Sequence, residues 1–304
     1  MIEFANTGVV IRIFIGMCVV LGLLIWVPFA IIKPKSTIFK MIWIAAVLAL
    51  LSYPAVRIRE SSLAEERLAA IQKANLDYYK MRCKSAGEKI TKTVDNVDGV
   101  FLMKIRPQRI NGSDQFALDD PYGLDLGDDE YIKNFLKGRD EQGGLVYAFT
   151  AHPGYHYVEA VDPKDGSRYR YTAYIDEIWK RDSNYLQGVT HFELTKAPPL
   201  LPGPRYGVTY DDISTPEDRK RWIAGSSLRV IDLQTNEVIA ERIGYMIDPG
   251  LGNRSGGRAP WLLAAYRACP AFPPIEPGRT NSVHQFGQTR RFVEKVLQPI
   301  QEQS

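Results

Sequence analysis

The chain has 304 residues, 38 of them basic and 35 acidic, and is 45% hydrophobic, a composition that excludes low-complexity disorder. The charge is uneven: residues 1–56 hold Arg12, Lys33, Lys35 and Lys40 against Glu3 alone, which leaves 34 basic and 34 acidic side chains in residues 57–304. A balanced remainder lacks the basic surplus with which a dedicated nucleic-acid binder displaces counterions from phosphate, so nucleic acid is not an expected partner.

Ile13–Ile32 is an uncharged run of twenty residues, with Pro28 near one end. At the helical rise, about 20 residues cross the hydrocarbon of a bilayer. Ile38–Val56 is a second such run, and its one charge, Lys40, sits where it can snorkel to the headgroups. Trp26, Trp43 and Tyr53 lie toward the ends of the runs, as an aromatic belt requires. A cleaved signal peptide has an apolar core of only about 7–15 residues, shorter than the first run. The pattern predicts two transmembrane helices over residues 1–56, joined by a tight turn, with both tails on one side. Lys33, Lys35 and Lys40 favour a cytoplasmic turn, whereas Arg57, Arg59, Arg67 and Lys73 favour the opposite orientation.

Of the three cysteines, Cys18 lies in the first run, and Cys83 and Cys269 are the two in the remaining chain. Two readings stand side by side for that pair: a disulfide in an oxidising compartment, or two separate buried thiols. Spacing does not decide between them.

Residues 57–96 are expected to form an amphipathic helix leaving the membrane, periodic from 58 to 92 through Leu63, Leu68, Ile71, Tyr78, Tyr79, Ala86 and Ile90, with Gly87 as a mild interruption. Residues 97–304 are expected to form a soluble α+β domain. Val97–Arg106 reads as a strand. The acidic stretch Asp114–Glu130, with Asp119, Asp120, Asp125, Asp128 and Asp129, does not match a calcium loop and is expected to be solvated. Tyr131–Lys137 reads as a short helix.

Two hairpins follow. In the first, Tyr155–Val161 and Arg168–Ile175 flank the turn Asp162-Pro-Lys-Asp-Gly166. Alternation puts Tyr169, Tyr171, Ala173 and Ile175 on one face and Arg168, Arg170, Thr172 and Tyr174 on the other, with Glu159 opposite Arg170. In the second, Ser227–Leu233 and Val238–Met246 flank Thr235-Asn236. Ala197–Arg205 is a proline-rich connector, and Thr215 is expected to cap a short helix with Pro216 in its first turn. Helices are also expected over Trp261–Ala268 and Thr289–Leu297. Strands joined by local turns predict a mainly antiparallel sheet with flanking helices.

The stretches YYKMRCKSAGEKI, YGVTYDDIST followed by IAGSSLRVIDLQTNEVIAERIGYM, GGRAPW and RRFVEKVL resemble a group of hypothetical proteobacterial membrane proteins that have no assigned activity. The resemblance covers most of residues 78–298. It implies an envelope setting and supplies no catalytic residues; separately, the apolar runs make the membrane the expected partner, and an envelope protein is a further one.

No hydrolase elbow, phosphate loop, HExxH or CxxC occurs, and Ser226 and Ser255 lie outside any GxSxG. His152 and His156 have half the spacing of a zinc site but no matching ligands beside them. No catalytic residue, metal set or cofactor is therefore assigned. The strongest candidate is the loop of Asn253, Arg254, Ser255, Gly256, Gly257 and Arg258, where glycine N–H groups, two guanidiniums and a helix start suit an anion. Its competing role is structural, with the arginines neutralising the acidic stretch. The functional expectation is a binding or structural domain at the bacterial inner membrane, on the periplasmic side. An envelope hydrolase and a cytoplasmic sensor coupled to a membrane effector are the alternatives.

Overall fold

The computed structural model describes residue 22 and residues 37–108, 118–137, 154–189, 191–273 and 285–300. The first apolar run, Ile13–Ile32, lies outside the described residues apart from Gly22, as do most side chains of the second run. Among the residues described, no helix is long and apolar enough to cross a membrane. The chain divides into two compact units, Met1–Ile71 and Gln72–Ser304.

Helix α1 (Thr37–Cys83) supplies the described helical part of the first unit and enters the second with its last turns. In the first unit Ile58, Leu63, Leu68 and Ile71 are exposed. In the second, Tyr79 is buried, and Leu76, Tyr78 and Cys83 pack beside it. The helix stops at Cys83, short of the expected end at residue 92. Gly87 takes a φ of 145°, which L-residues rarely adopt, and there the chain turns into strand β1 (Gly87–Ile90). What reads as a mild interruption is therefore the start of a strand.

The second unit is α+β. After β1 come β2 (Val94–Val97), β3 (Gly99–Leu102), helix α2 (Asp128–Lys137), β4 (Tyr157–Val161), β5 (Arg168–Asp176), β6 (His191–Ala197) and β7 (Tyr206–Asp212). Helix α3 (Pro216–Lys220), β8 (Ile223–Asp232), β9 (Glu237–Ile247), helix α4 (Pro260–Ala264), β10 (Ala268–Cys269), helix α5 (Gln288–Val296) and β11 (Leu297–Pro299) complete it. The main sheet runs β1-β9-β8-β7-β3-β4-β5-β6, with β10 also beside β9. It is mainly antiparallel but mixed, because β3 is parallel to both neighbours, β4 and β7. A separate parallel pair joins β11 to β2.

Both expected hairpins form. Glu159 lies opposite Arg170 in the β4–β5 register. Asn236 takes the left-handed φ of 59° that the β8–β9 turn needs. The α3 start is a full capping box: Thr215 Oγ1 accepts from Asp218 N, and the Asp218 carboxylate accepts from Thr215 N. The expected strand over Val97–Arg106 is shorter: β3 ends at Leu102, and Arg106 is carried on past the sheet.

Alternation gives the sheet two different faces. Val100, Leu102, Val158, Ala160, Val208, Leu228 and Val230 pack with Phe135 of α2 and Phe292 of α5 in the main core. Tyr171 joins this core and Tyr169 and Ala173 pack against it, as the alternation predicts, whereas Ile175 is 45% exposed. Further along the sheet, Tyr122, Met246, Ala224 and Trp261 form a second cluster. On the opposite face Ile223, Tyr245 and Ile247 meet the end of α1. Glu159 also lies off the main core, fully buried between Arg168 (Nε, 2.7 Å) and Arg170 (Nη2, 2.8 Å).

Cys83 and Cys269 are joined in a disulfide with Cα atoms 5.8 Å apart, which ties the end of α1 to β10. The same junction carries hydrogen bonds from Tyr79 Oη to Arg267 O (2.5 Å), from Arg221 Nη1 to Asn75 Oδ1 (2.9 Å) and from Gln72 Nε2 to Pro249 O (3.1 Å).

One close approach makes a test. A Cβ on Gly244 would lie 1.9 Å from Cζ of Tyr122, a ring that is itself buried, whereas one on Gly207 would meet the movable end of Leu233 at 2.9 Å. Gly244→Ala is expected to lower the unfolding free energy by about 1–3 kcal/mol, the usual range for overpacking, and Gly207→Ala by less. Urea titration of both variants checks this, and the reverse order would contradict the packing described.

Candidate ligand cavity

Of the acidic stretch expected to be solvated, Asp119, Asp128 and Asp129 are exposed, but two aspartates are buried. Asp120 and Asp125 are 5% and 4% exposed, and Leu118 and Tyr122 between and before them are buried in the second cluster. The carboxylates are interleaved with apolar anchors, so packing the anchors carries the acids inside. Asp120 Oδ2 accepts from Arg106 Nη1 (2.9 Å) and Ser226 Oγ (3.0 Å), and Oδ1 accepts from Gly123 N (3.0 Å). Asp125 accepts from Leu126 N (2.8 Å), from Gly287 N and from Thr289 N (2.9 Å). It thus occupies the positive end of α5, where main-chain donors lack intrahelical partners.

Around this segment lies a cavity of about 260 Å³, lined by Lys104, Arg106, Asp119, Asp120, Asp125 and Tyr210–Asp212, with Pro107 and Leu124. It sits where β3 and β7, two parallel neighbours, both end. Lys104 Nζ donates to Tyr210 O (2.8 Å) and pairs with Asp211, which also pairs with Arg229. Asp212 accepts from Asp120 N (3.0 Å) and Ser214 N (2.8 Å) and pairs with Arg219. Arg106 is 4% exposed, and its guanidinium lies 3.6 Å from the Tyr210 ring centroid. Its Nη1 is satisfied by Asp120, but Nε and Nη2 are buried without a hydrogen-bond partner.

Burial lifts the Asp120 carboxyl above its ordinary value of 3.8, even with Arg106 beside it. Burial acts the same way on Asp212, but there Ser214, Arg219 and the Asp120 N–H outweigh it and hold the carboxyl below 3.8. Burial also raises the Tyr122 hydroxyl to about 12.

The loop singled out in the sequence is organised differently. Arg258 pairs through both terminal nitrogens with Asp248, which is fully buried, and Nη1 also donates to Asn253 O at 2.9 Å. Gly250 N and Gly252 N donate to the same carboxylate at 3.0 and 2.8 Å. The oxyanion that this loop holds is therefore the chain's own. It is not one of the acids of residues 114–130, because Asp248 lies only ten residues away at the end of β9. Arg254, Ser255, Gly256 and Gly257 are exposed. Helix α4 behind them has five residues. His156 Nδ1 lies 2.6 Å from Asp98 Oδ1, while His152 and His284 lie outside the described residues. Among the described residues no group of three metal-ligating side chains occurs.

Sequence reading missed the cavity because Arg106 carries no motif. The available signal was the alternation of Leu118, Tyr122 and Leu124 with the aspartates, which marks a buried segment. Comparison of the chain with family models, with curated proteins and with solved structures gives no match.

Two measurements test this description. Asp120→Asn removes the buried charge opposite Arg106, and breaking such a pair costs about 3–5 kcal/mol. That loss should appear in denaturant unfolding at neutral pH. For Asp212 the folded pKa is below the unfolded one, so its contribution is present above pH 3.8 and is lost as pH falls through the folded value. Asp212→Asn should therefore flatten the acid limb of a stability–pH profile below pH 3.8, and an unchanged limb would contradict it.

Proposed function

We propose that the protein is a membrane-anchored extracytoplasmic domain of the bacterial envelope that acts by binding. The single observation that carries this reading is the disulfide between Cys83 and Cys269. Structural disulfides persist in oxidising compartments and are rare in the cytosol. This one closes a sequence separation of 186 residues and joins the last residue of α1, the helix that contains the second apolar run, to the sheet. In the chain-entropy picture a loop of that size contributes about 5 kcal/mol, so the domain depends on a compartment that keeps the bond. The apolar runs Ile13–Ile32 and Ile38–Val56 supply the anchor. With an even number of spans, a cytoplasmic Lys33–Lys40 turn puts the domain outside. The binding role is supported by a cavity of about 260 Å³ at the end of two parallel strands, lined by charged side chains.

A phosphatase active only outside the cytoplasm, fused after Ser304, is expected to be active. Thiol alkylation of acid-quenched membranes is expected to label one cysteine, Cys18, and all three after reduction. An inactive fusion together with three labelled thiols at the outset would reverse the location and favour the cytoplasmic sensor. Cys269→Ser should lower stability by about 2–5 kcal/mol, read as the shift in thermal unfolding.

A further inference from the structure

We propose that the cavity between the start of α2 and the β4–β5 turn binds a primary ammonium carried on a short apolar body, with the Tyr171 hydroxyl and the carboxylates of Asp128 and Asp129 as its acceptors. This goes beyond the reading above and depends on neither the compartment nor the Arg106 cavity.

The first step is a polar group without a partner. The cavity measures about 360 Å³ and has Tyr171 and Ile132 among its walls, 5% and 1% exposed. The Tyr171 hydroxyl makes no hydrogen bond with a described residue. Nor is it one of the partnerless polar atoms sealed from solvent, so the little surface that Tyr171 keeps includes its hydroxyl. The cavity that Tyr171 lines is where that oxygen can be met. Burial, with Asp162 and Asp129 nearby and only Lys196 opposing them, lifts the hydroxyl above its ordinary value of 10.0. It therefore stays neutral, with its oxygen able to accept.

The second step is charge, counted with the ammoniums that pair with the lining. Glu130 is met by Lys133 at 3.1 Å and Lys137 at 3.9 Å, and Lys196 lies 2.6 Å from Asp162 and 4.0 Å from Asp165. Asp128 and Asp129 are exposed on the rim without an ion pair among the described residues, and Lys164 is the lining cation left to offset them. Five carboxylates thus face four ammoniums, one positive charge short. The N-terminal end of the α2 dipole, equivalent to about half a charge, takes up only part of that deficit. It also accounts for acids at a helix start but not for the buried hydroxyl beside them. Among the described residues no three metal-ligating side chains gather here, which leaves an organic monocation.

The third step is shape. Ile105, Ile132, Pro163 and the Tyr171 ring give the cavity apolar walls, and its volume lies near the lower end of the range of about 300–1,000 Å³ for ligand pockets. A primary ammonium brings three donors to these acceptors, whereas a quaternary one brings none. The apolar body covers the walls, which an inorganic cation would leave wet.

The test uses the full chain in nonionic detergent micelles, titrated calorimetrically at neutral pH with butylamine, methylamine, tetramethylammonium, butyrate and magnesium. Butylamine is expected to bind saturably, at least about 10-fold tighter than methylamine, which lacks the apolar body. Tetramethylammonium should bind more weakly than butylamine, and butyrate and magnesium should not compete with it. Tyr171→Phe removes only the hydroxyl and is expected to weaken butylamine about 5-fold or more. Its melting temperature should stay unchanged, because no bond within the chain is lost; a purely structural hydroxyl would give the opposite pair of results. Asp129→Asn, on the exposed rim, is expected to weaken butylamine about 10-fold, and it carries the reading if Tyr171→Phe does not give the wild-type circular dichroism spectrum. The assignment is overturned if butylamine does not bind, if tetramethylammonium, butyrate or magnesium binds as tightly, or if the folded variants bind butylamine unchanged.

Discussion

The buried carboxylate of Asp120 is the constraint on which one face of the sheet depends. A carboxylate taken from water costs several kcal/mol unless donors replace the lost hydration. Asp120 finds them in three places: Arg106 beyond β3, Ser226 on β8, and the main chain of Gly123. Together these bonds hold residues 118–125 against the sheet. Tyr122 is then set on Gly244 of β9, where only a glycine leaves room. Asp125 arrives at the start of α5 and accepts from Gly287 and Thr289. Gln285 and Gln288 return the favour by donating to Pro121, Tyr122 and Leu124 carbonyls. A segment without regular structure is thereby bonded at both main chain and side chain.

Features carried by neighbours in sequence were legible. The β4–β5 register, the Glu159–Arg170 pair, the Asn236 turn and the Thr215 cap all rest on residues a few positions apart, so their chemistry is visible in a short window. Features whose decisive partner is remote were not. Nothing near Cys83 announces that Gly87 enters a strand, because its ladder partner is Ile243. Asp120 and Asp125 look solvated until Arg106, Ser226 and the start of α5 are brought to them. Arg258 illustrates the intermediate case. That it serves a carboxylate was readable, but the carboxylate was sought in the longest acidic run, whereas the single Asp248 at the end of β9 is closer and buried. The parallel pairings of β3 were also invisible, since a short apolar strand carries no mark of its neighbours' direction.

Arginine recurs in this domain as a structural residue, which sharpens the reading of any one guanidinium. Arg168 and Arg170 hold Glu159 under the proline-rich connector, with their planes over Phe101 and Tyr157 at 3.9 and 3.7 Å. Arg290 is fully buried and bonds Glu294 and Asn134. Arg242, which burial holds below the usual guanidinium value, donates to Gln288. In such company a charged side chain in a loop is weak grounds for a ligand. What distinguishes Arg106 is that Nε and Nη2 are both buried without a hydrogen-bond partner, whereas in Arg170 and Arg205 the same two nitrogens bond a carboxylate of the chain.

The position of that guanidinium follows from topology. An antiparallel neighbour is reached by a tight hairpin, but a parallel one requires a crossover that leaves the sheet and returns. β3 is parallel to β4, so the chain between Leu102 and Tyr157 must travel from one end of the sheet back to the other. On the way it lays down Arg106, the Asp120 segment and α2. β7 is parallel to β3 on its other side, so Tyr210, Asp211 and Asp212 come out beside the start of that crossover. The other neighbouring strands of the main sheet run antiparallel. A cavity forms where the crossover lifts away between two strands ending together, and the crossover supplies its charged lining. The mixed character of the sheet and the presence of the Arg106 cavity are therefore one fact of the fold.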